Sequence, residues 1–366
     1  MLEPTHAGSP AVTLPRPRAA TVPIPSLDLL RSWAIASVVL AHACLAYGVG
    51  PALAPLQLGG TGVDLFFLLS GWLLGSQLMR ELKSSGSIRL TRFWSRRWMR
   101  TLPAYYAVLL FTFAQQIYKG NHDLDWSYLW FGQNYFSDLP YFTVSWSLAV
   151  EEHFYLAIAP FLVLLFTLGR RGVGLGAAVL LAPFVMRTLG LYGHIEQTHV
   201  RYDACLAGVA LAGVNVFLPR LWSKLCAAAP LIGGTGLLLY GWFVFARWHP
   251  AYALPLDEQT QCMVIYGSIL MLAVSSEKWR QSLYLPGSAY LAKRAYSVYL
   301  LHPESLALLA RLHVPSFPLF LALSWLLTLA AAEVLYRLVE LPIMNARERY
   351  RFSASGHAQA SGRQPA

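Results

Sequence analysis

Two ionisable side chains share one face of the first apolar stretch of the chain, residues 26–48. Arg31 and His42 are separated by close to three helical turns, about 16 Å along a helix axis. A charged side chain at the centre of a membrane helix costs roughly 2.5–3.5 kcal/mol, so such residues are functional candidates. A fixed cation can hold an anionic ligand, and an imidazole can act as a general base. For Arg31 alone, snorkelling to the lipid headgroups is an equal alternative.

Three consecutive ionisable residues, Glu151, Glu152 and His153, lie in another apolar stretch that begins near residue 144. The glutamates lie about 10–12 Å inside its outer end, and His42 lies about 9 Å inside its own. Because the depths agree, we expect a glutamate to orient the imidazole and raise its basicity. Adjacent helix positions diverge by about 100°, so one of the two glutamates should face His42. The HExxH pattern is absent, and the sequence predicts no metal site.

The densest basic segment, residues 80–100, contains Arg97 and Arg100 among interleaved aromatic residues. This pattern is typical of an amphipathic interfacial helix that binds anionic lipid. The alternative is a phosphate site, because a guanidinium binds phosphate in a bidentate manner. The position of Arg31 at the same membrane face favours the second interpretation, with Arg31, Arg97 and Arg100 as the cofactor-binding residues.

The next apolar stretch opens with glycines at 59–62, followed by Asp64 about one turn inside. A glycine-rich helix start offers free N–H groups that favour an anion or a developing negative charge. We therefore include Asp64 among the catalytic candidates, with His42 and the two glutamates. Gly71 and Gly75 form a small-residue pair that predicts close approach of another helix. Ser70 could line that interface, although a bond to its own helix is the simpler interpretation.

The composition indicates an integral membrane protein. The 366 residues are 56% hydrophobic and 13% charged, with a mean hydropathy of +0.46, whereas a soluble domain has about 25% charged residues. The four cysteines show no spacing typical of zinc sites or disulfides. Residues 1–25 lack the apolar core and cleavage site of a signal peptide, and they predict a disordered cytoplasmic tail. We expect a second such tail at 346–366.

Hydrophobic windows predict an all-α bundle of about ten transmembrane helices within a single domain, residues 26–345. The eighth window is short for a spanning helix. The windows are 27–48, 60–80, 101–118, 144–168, 173–191, 203–219, 229–247, 262–276, 294–311 and 316–338.

The distribution of basic residues predicts the orientation. With the N-terminus inside, most of the 28 Lys and Arg residues fall on the cytoplasmic side. Both termini are therefore predicted to be cytoplasmic. The net charge of +10 is then explained by topology, and no nucleic-acid partner is needed.

Several motifs together resemble the membrane acyltransferase 3 family. They cover most of residues 26–345 and include an Arg and a His with ten residues between them in the first stretch. The chief motifs are LDLLRSWAIASVVLAHA (27–43), GVDLFFLLSGWLLG (62–75), RRWMRTLPAYY (96–106) and WSLAVEEHFYL (146–156), with RYDACLAGVALA (201–212), YSVYLLHP (296–303) and YRLVELP (336–342) as weaker ones. The chain departs from the family pattern at Leu29, where Gly is usual, and at His153, where Gln is usual.

The resemblance implies a multi-pass enzyme of the inner membrane that takes an acyl group from cytoplasmic acyl-CoA, with acetyl-CoA the first candidate. The acceptor would be a hydroxyl of a carbohydrate or another small molecule, and His42 and Arg31 would be essential. Candidate substrate contacts are Ser70, Trp146, Tyr299 and His302, although a satisfied core histidine is the simpler interpretation of His302. A covalent acyl-histidine route stays open.

A membrane transporter or exporter of a glycan or lipid-linked substrate is the alternative function. Many transporters contain inverted repeats with paired broken helices. The two halves of this sequence show no self-similarity, which favours the enzyme.

Overall fold

The computed structural model describes residues 24–136 and 138–346, and this part of the chain contains helices and no strand. The two predicted tails, 1–25 and 346–366, lie almost wholly outside the described residues. The described chain forms ten helices of 15 to 30 residues: α1 Pro25–Tyr47, α2 Gly62–Ser85, α3 Leu90–Tyr118, α4 Ser145–Thr167, α5 Arg170–Thr188, α6 Asp203–Phe217, α7 Pro219–Trp248, α8 Glu258–Ser275, α9 Ser288–Arg311 and α10 Phe317–Leu335.

Each hydrophobic window overlaps one of these helices, and the protein is a multi-pass membrane protein. Six helical segments are long and apolar enough to cross a bilayer. They are α1, α2 together with the 3-10 helix Pro51–Thr61 before it, α4, α5, α7, and α10 with its continuation to Ala346. The helix α6 is a shorter apolar helix. Ten membrane crossings and cytoplasmic termini therefore stay predictions.

The basic segment 80–100 is not one separate interfacial helix. Its first residues continue α2, which ends at Ser85 and is followed by Gly86 in the left-handed conformation with φ +69°. A new helix, α3, then begins at Leu90 and continues through Pro103 to Tyr118. Arg97 and Arg100 are therefore carried on a helix that enters the bundle.

Glycines bring α2 and α6 into close contact, as the small-residue pair predicts. A Cβ atom on Gly71 would lie 1.9 Å from the carbonyl oxygen of Cys205, and one on Gly75 would lie 2.8 Å from the Cα of Val209. On the facing helix, a Cβ on Gly208 would lie 2.2 Å from the carbonyl oxygen of Leu68. Only glycine permits this backbone separation.

The glycine-rich start of α2 does not offer the free N–H groups that we expected. Residues Pro51–Thr61 form a 3-10 helix that runs directly into α2. The N–H of Gly62 bonds to the carbonyl oxygens of Gly59 and Gly60. The glycines serve packing instead, because a Cβ on Gly59 would overlap the backbone of Ser37 in α1.

Buried ion pairs tie together the helix ends that are predicted to face outward. Arg187 of α5 donates to Asp203 of α6 at 2.7 Å and to Asp257, which caps α8, at 2.8 Å. Arg201 pairs with Asp64 of α2 at 3.1 Å. Arg201 and Asp203 are two residues apart in the sequence and do not pair with each other, because each finds its partner on another helix.

Candidate active site

A cavity of about 300 Å³ lies between α1, α2, α3, α4, α9 and the continuation of α10. It brings together six of the residues that the sequence singled out, on five different helices. Its polar lining consists of Arg31, Ser70, Gln77, Arg97, Arg100, Thr101, Ser147, Glu151, Tyr155, Lys293, Tyr296, Tyr299 and Glu340.

Four cations line the end of the cavity that is predicted to be cytoplasmic. Arg31 of α1 pairs with Asp28 at 3.3 Å, and the like charge of Arg100 on α3 is close enough to repel the Arg31 guanidinium. The guanidinium of Arg97 lies 5.7 Å from the ring centre of Tyr155. Lys293, near the start of α9, was not predicted as a site residue, although it lies one turn before the YSVYLLHP motif.

The carboxylate Glu340 reaches the same cavity from the segment that follows α10. Residues Tyr336–Glu340 form a π-helical turn, a distortion that often occurs at functional sites. Ser297 of α9 donates a short hydrogen bond to the Glu340 carboxylate. This bond fixes the carboxylate beside the cationic end.

The two adjacent glutamates of α4 face different neighbours, as the 100° divergence predicts. The Ser70 hydroxyl donates to Glu151 at 2.8 Å, and the Thr101 hydroxyl donates to Glu152 at 2.7 Å. Glu151 lines the cavity, whereas Glu152 is buried beside α3. The bond of Ser70 to its own helix, the simpler interpretation of the sequence, is replaced by this bond between helices.

The partner of His42 is a second histidine and not a glutamate. Its Nδ1 lies 2.7 Å from Nε2 of His302 on α9. The expectation that Glu151 or Glu152 contacts His42 is therefore wrong. Helix depth was argued from the sequence, but the direction of each side chain depends on which helix packs beside α1, and α9 occupies that place.

The histidine pair lies one helical turn beyond the end of the cavity that is opposite the four cations. Tyr299 lines this end, and its hydroxyl lies 2.6 Å from the Ser147 hydroxyl. The Tyr299 and His302 ring centres are 5.6 Å apart. From Lys293 to Tyr299 the cavity follows α9 for about 9 Å at 1.5 Å per residue. A ligand that fills the cavity from the cationic end would therefore stop about one helical turn from the histidine pair.

The other predicted site residues lie outside the cavity lining. Asp64 is occupied by its ion pair with Arg201, whose guanidinium lies 5.0 Å from the ring centre of Trp146. The Nδ1 of His153 bonds to the Thr198 hydroxyl at 2.8 Å. These contacts connect α2 and α4 to the loop before α6. We therefore leave Asp64 out of the proton-transfer steps proposed below.

Comparison with known proteins identifies the family. The acyltransferase domain profile of the acyltransferase 3 family matches residues 24–337. The chain belongs to this family. A Staphylococcus aureus (strain COL) protein with the provisional name O-acetyltransferase is 28% identical over 87% of this chain and 57% of its own length. The peptidoglycan O-acetyltransferase OatA of Listeria monocytogenes is 26% identical over 87% of this chain and 56% of its own.

These acyltransferase relatives are longer than this chain. A third relative, the O-acetyltransferase OatA of Staphylococcus aureus (strain NCTC 8325), is 25% identical, and the chain spans 57% of its length. The chain thus spans between half and two thirds of the relatives that it matches. No solved structure gives a significant match.

Proposed function

We propose that this protein is a membrane O-acyltransferase that transfers an acyl group, with acetyl the first candidate, from cytoplasmic acyl-CoA to a hydroxyl of a carbohydrate. The main support for this proposal is a cavity that has four cations at one end. The His42–His302 pair lies one helical turn from its other end. Family membership and the O-acetyltransferase names of the relatives support the same reaction class.

The cationic end suits the phosphates of the donor. Arg31, Arg97, Arg100 and Lys293 come from three helices and line the same cavity. Guanidinium groups bind phosphate through paired charge-assisted hydrogen bonds, and a lysine adds a point charge. At about 300 Å³ the cavity is small for a ligand site. We therefore expect the nucleotide to stay at the mouth while the pantetheine arm enters.

The reaction needs a base near the thioester, and we propose His42 for this role. Its Nε2 takes the proton of the acceptor hydroxyl while the oxygen attacks the thioester carbonyl carbon. The C–S bond breaks, the thiolate leaves with the electron pair, and it takes the proton from His42 to give free CoA. We propose that Glu151 and Ser70, which line the cavity, bond the amides of the pantetheine arm.

A two-step route through an acylated His42 uses the same residues. The two routes can be distinguished when no acceptor is present, because only the covalent route then leaves an acetyl group on the protein. Incubation of purified protein with radiolabelled acetyl-CoA, followed by denaturation, distinguishes them. Label that remains on wild type and is lost in His42→Ala supports the covalent route.

Mass spectrometry of surface glycans and small metabolites tests the proposed function. Cells with wild type, His42→Ala or no gene are compared, with His122→Ala in an exposed outer loop as the matched control. We expect an acetylated product in wild type and His122→Ala and at least a hundredfold less in His42→Ala, because general-base catalysis contributes about 10²–10⁴-fold. Equal products in all cells, with altered export of a lipid-linked glycan, would favour the transporter.

A further inference from the structure

The hydrogen bonds of His302 determine which of its ring nitrogens carries a proton. Its Nδ1 lies 2.8 Å from the carbonyl oxygen of Tyr299 and 3.2 Å from that of Val298. A carbonyl oxygen can only accept a hydrogen bond, so Nδ1 must donate. In this buried side chain the proton is therefore on Nδ1.

The residue after His302 explains why this bond forms. In a regular helix the carbonyl oxygen of Tyr299 accepts the N–H of residue 303. That residue is Pro303, which has no N–H, and α9 continues past it. The His302 side chain supplies the missing donor to a carbonyl that would otherwise be buried without a partner. The His-Pro pair thus holds the His302 ring in one orientation.

A neutral His302 must then accept a hydrogen bond from His42. A second proton on the His302 ring would create a fully buried cation. Its described hydrogen-bond partners are two carbonyls and an imidazole, and a buried cation without a carboxylate partner is unfavourable. The lone pair is therefore on Nε2, which faces Nδ1 of His42 at 2.7 Å. His42 Nδ1 must carry a proton.

The geometry of the two rings is suited to this bond. Their planes differ by 2° and their centres are 5.0 Å apart. The 2.7 Å bond and the two ring radii account for that whole separation, so the bond lies in the plane of both rings. An in-plane bond is the favourable direction for a ring N–H and a ring lone pair.

We infer that His302 is a positioning residue that fixes His42 in the Nδ1–H tautomer and directs the Nε2 lone pair to the acceptor hydroxyl. This inference rests on the proposed role of His42 as the base. The tautomer of a histidine is set by the bond that its other nitrogen makes. His42 is half-buried, and the described residues give its Nε2 no hydrogen-bond partner. This nitrogen is therefore available to a substrate.

The bond between the histidines should strengthen during the reaction. When Nε2 of His42 takes the hydroxyl proton, its Nδ1–H belongs to an imidazolium, and the bond to His302 becomes charge-assisted. An interaction that is stronger in the transition state than in the ground state accelerates the chemical step. His302 should therefore affect kcat more than the KM for acetyl-CoA.

Nitrogen NMR tests the tautomer independently of activity. Protein labelled with ¹⁵N-histidine is measured at neutral pH, and the His42 signals are assigned by their loss in His42→Asn. We expect a protonated Nδ1 and an unprotonated Nε2 in wild type, and a shift of the proton toward Nε2 in His302→Leu. A wild-type His42 that carries its proton on Nε2 would overturn the inference, whatever the activity of the variants.

Kinetics provide the second test, measured as transfer from radiolabelled acetyl-CoA in membranes of the producing cells. His302→Leu should lower kcat at least about tenfold, with an unchanged KM for acetyl-CoA; the loss is smaller than the about 10²–10⁴-fold of general-base catalysis because His42 itself remains. His302→Gln keeps an acceptor and should recover part of kcat. Ser305→Ala, one turn further along α9, is the control and should match wild type.

The two proposals fail in different ways. Full transfer by His42→Ala would remove the proposed function. An inactive His42→Ala together with a fully active His302→Leu would remove only the role of His302. If His302→Leu does not accumulate, His302→Gln and the wild-type NMR measurement still decide the question.

Discussion

Replacing Gly71 with Ala should separate α2 from α6 and disturb the site beside it. The new Cβ would lie 1.9 Å from the carbonyl oxygen of Cys205, whereas real Cβ atoms essentially never come within 3.0 Å of another atom. The obstacle is backbone, so no side chain can rotate away, and one helix must move by about 1 Å. Ser70, the preceding residue, would move with it and loosen its bond to Glu151.

The expected cost follows from two opposing effects. Overpacking costs about 1–3 kcal/mol, and a clash with backbone lies at the upper end. Alanine in place of glycine inside a helix raises the unfolding free energy by roughly 1 kcal/mol, because alanine has the higher helix propensity. The net loss of unfolding free energy in Gly71→Ala is therefore about 2 kcal/mol. Gly267→Ala in α8 is the matched control, because no atom lies within 4 Å of its new Cβ, and it should be stabilised by up to about 1 kcal/mol.

Unfolding of the purified variants in mixed detergent micelles, followed by tryptophan fluorescence, measures the difference. We expect the two variants to differ by about 3 kcal/mol in unfolding free energy. Acetyl transfer should fall in Gly71→Ala and stay at the wild-type level in Gly267→Ala. Equal stability of the two variants would refute the close helix contact.

Four further predictions concern topology, stability and the cavity. An external thiol reagent should label a cysteine placed at Asp123 and miss one at Lys83 in intact cells; the reverse would refute the proposed orientation. Arg187→Gln should lower the unfolding free energy by about 3–5 kcal/mol, measured in detergent, because the buried carboxylate of Asp203 loses its partner. Lys293→Gln should raise the KM for acetyl-CoA with little change in kcat, and an unchanged KM would exclude a phosphate contact. Glu151→Gln should lower kcat/KM at least about tenfold in the transfer assay, because it loses a charged hydrogen bond in the cavity.

The sequence predicted helix positions better than side-chain partners. Hydropathy is enough to locate α2, and its glycine pair is enough to predict that another helix packs closely on it, because both signals are local in the sequence. The spacing of Arg31 and His42 similarly gives their separation along one helix. By contrast, the partner of His42 is set by how α9 packs on α1, which no local pattern specifies.

The ion pairs illustrate the same limit. Arg201 and Asp203 are close in sequence, but the 3-10 turn before α6 and the packing of α2 give Arg201 a distant partner, Asp64. Lys293 was missed because a lysine at the start of a predicted span looks like an ordinary headgroup contact. The Pro303 signal was visible in the sequence, since a proline leaves an unbonded carbonyl four residues earlier. It becomes informative only when the helix is known to continue.

The separation of the cations from the histidine pair restricts the chemistry of the donor. Arg31 and His42 lie about 16 Å apart along α1, and the cavity runs from Arg31 to Tyr299, one turn before His302. An acyl phosphate carries its charge beside the reacting carbonyl, so it cannot occupy both ends at once. A thioester on a long pantetheine arm can, with its phosphates on Arg31, Arg97 and Arg100 and its carbonyl near His42. Acyl-CoA should therefore be the donor, and acetyl phosphate should neither replace it nor compete with it at equal concentration.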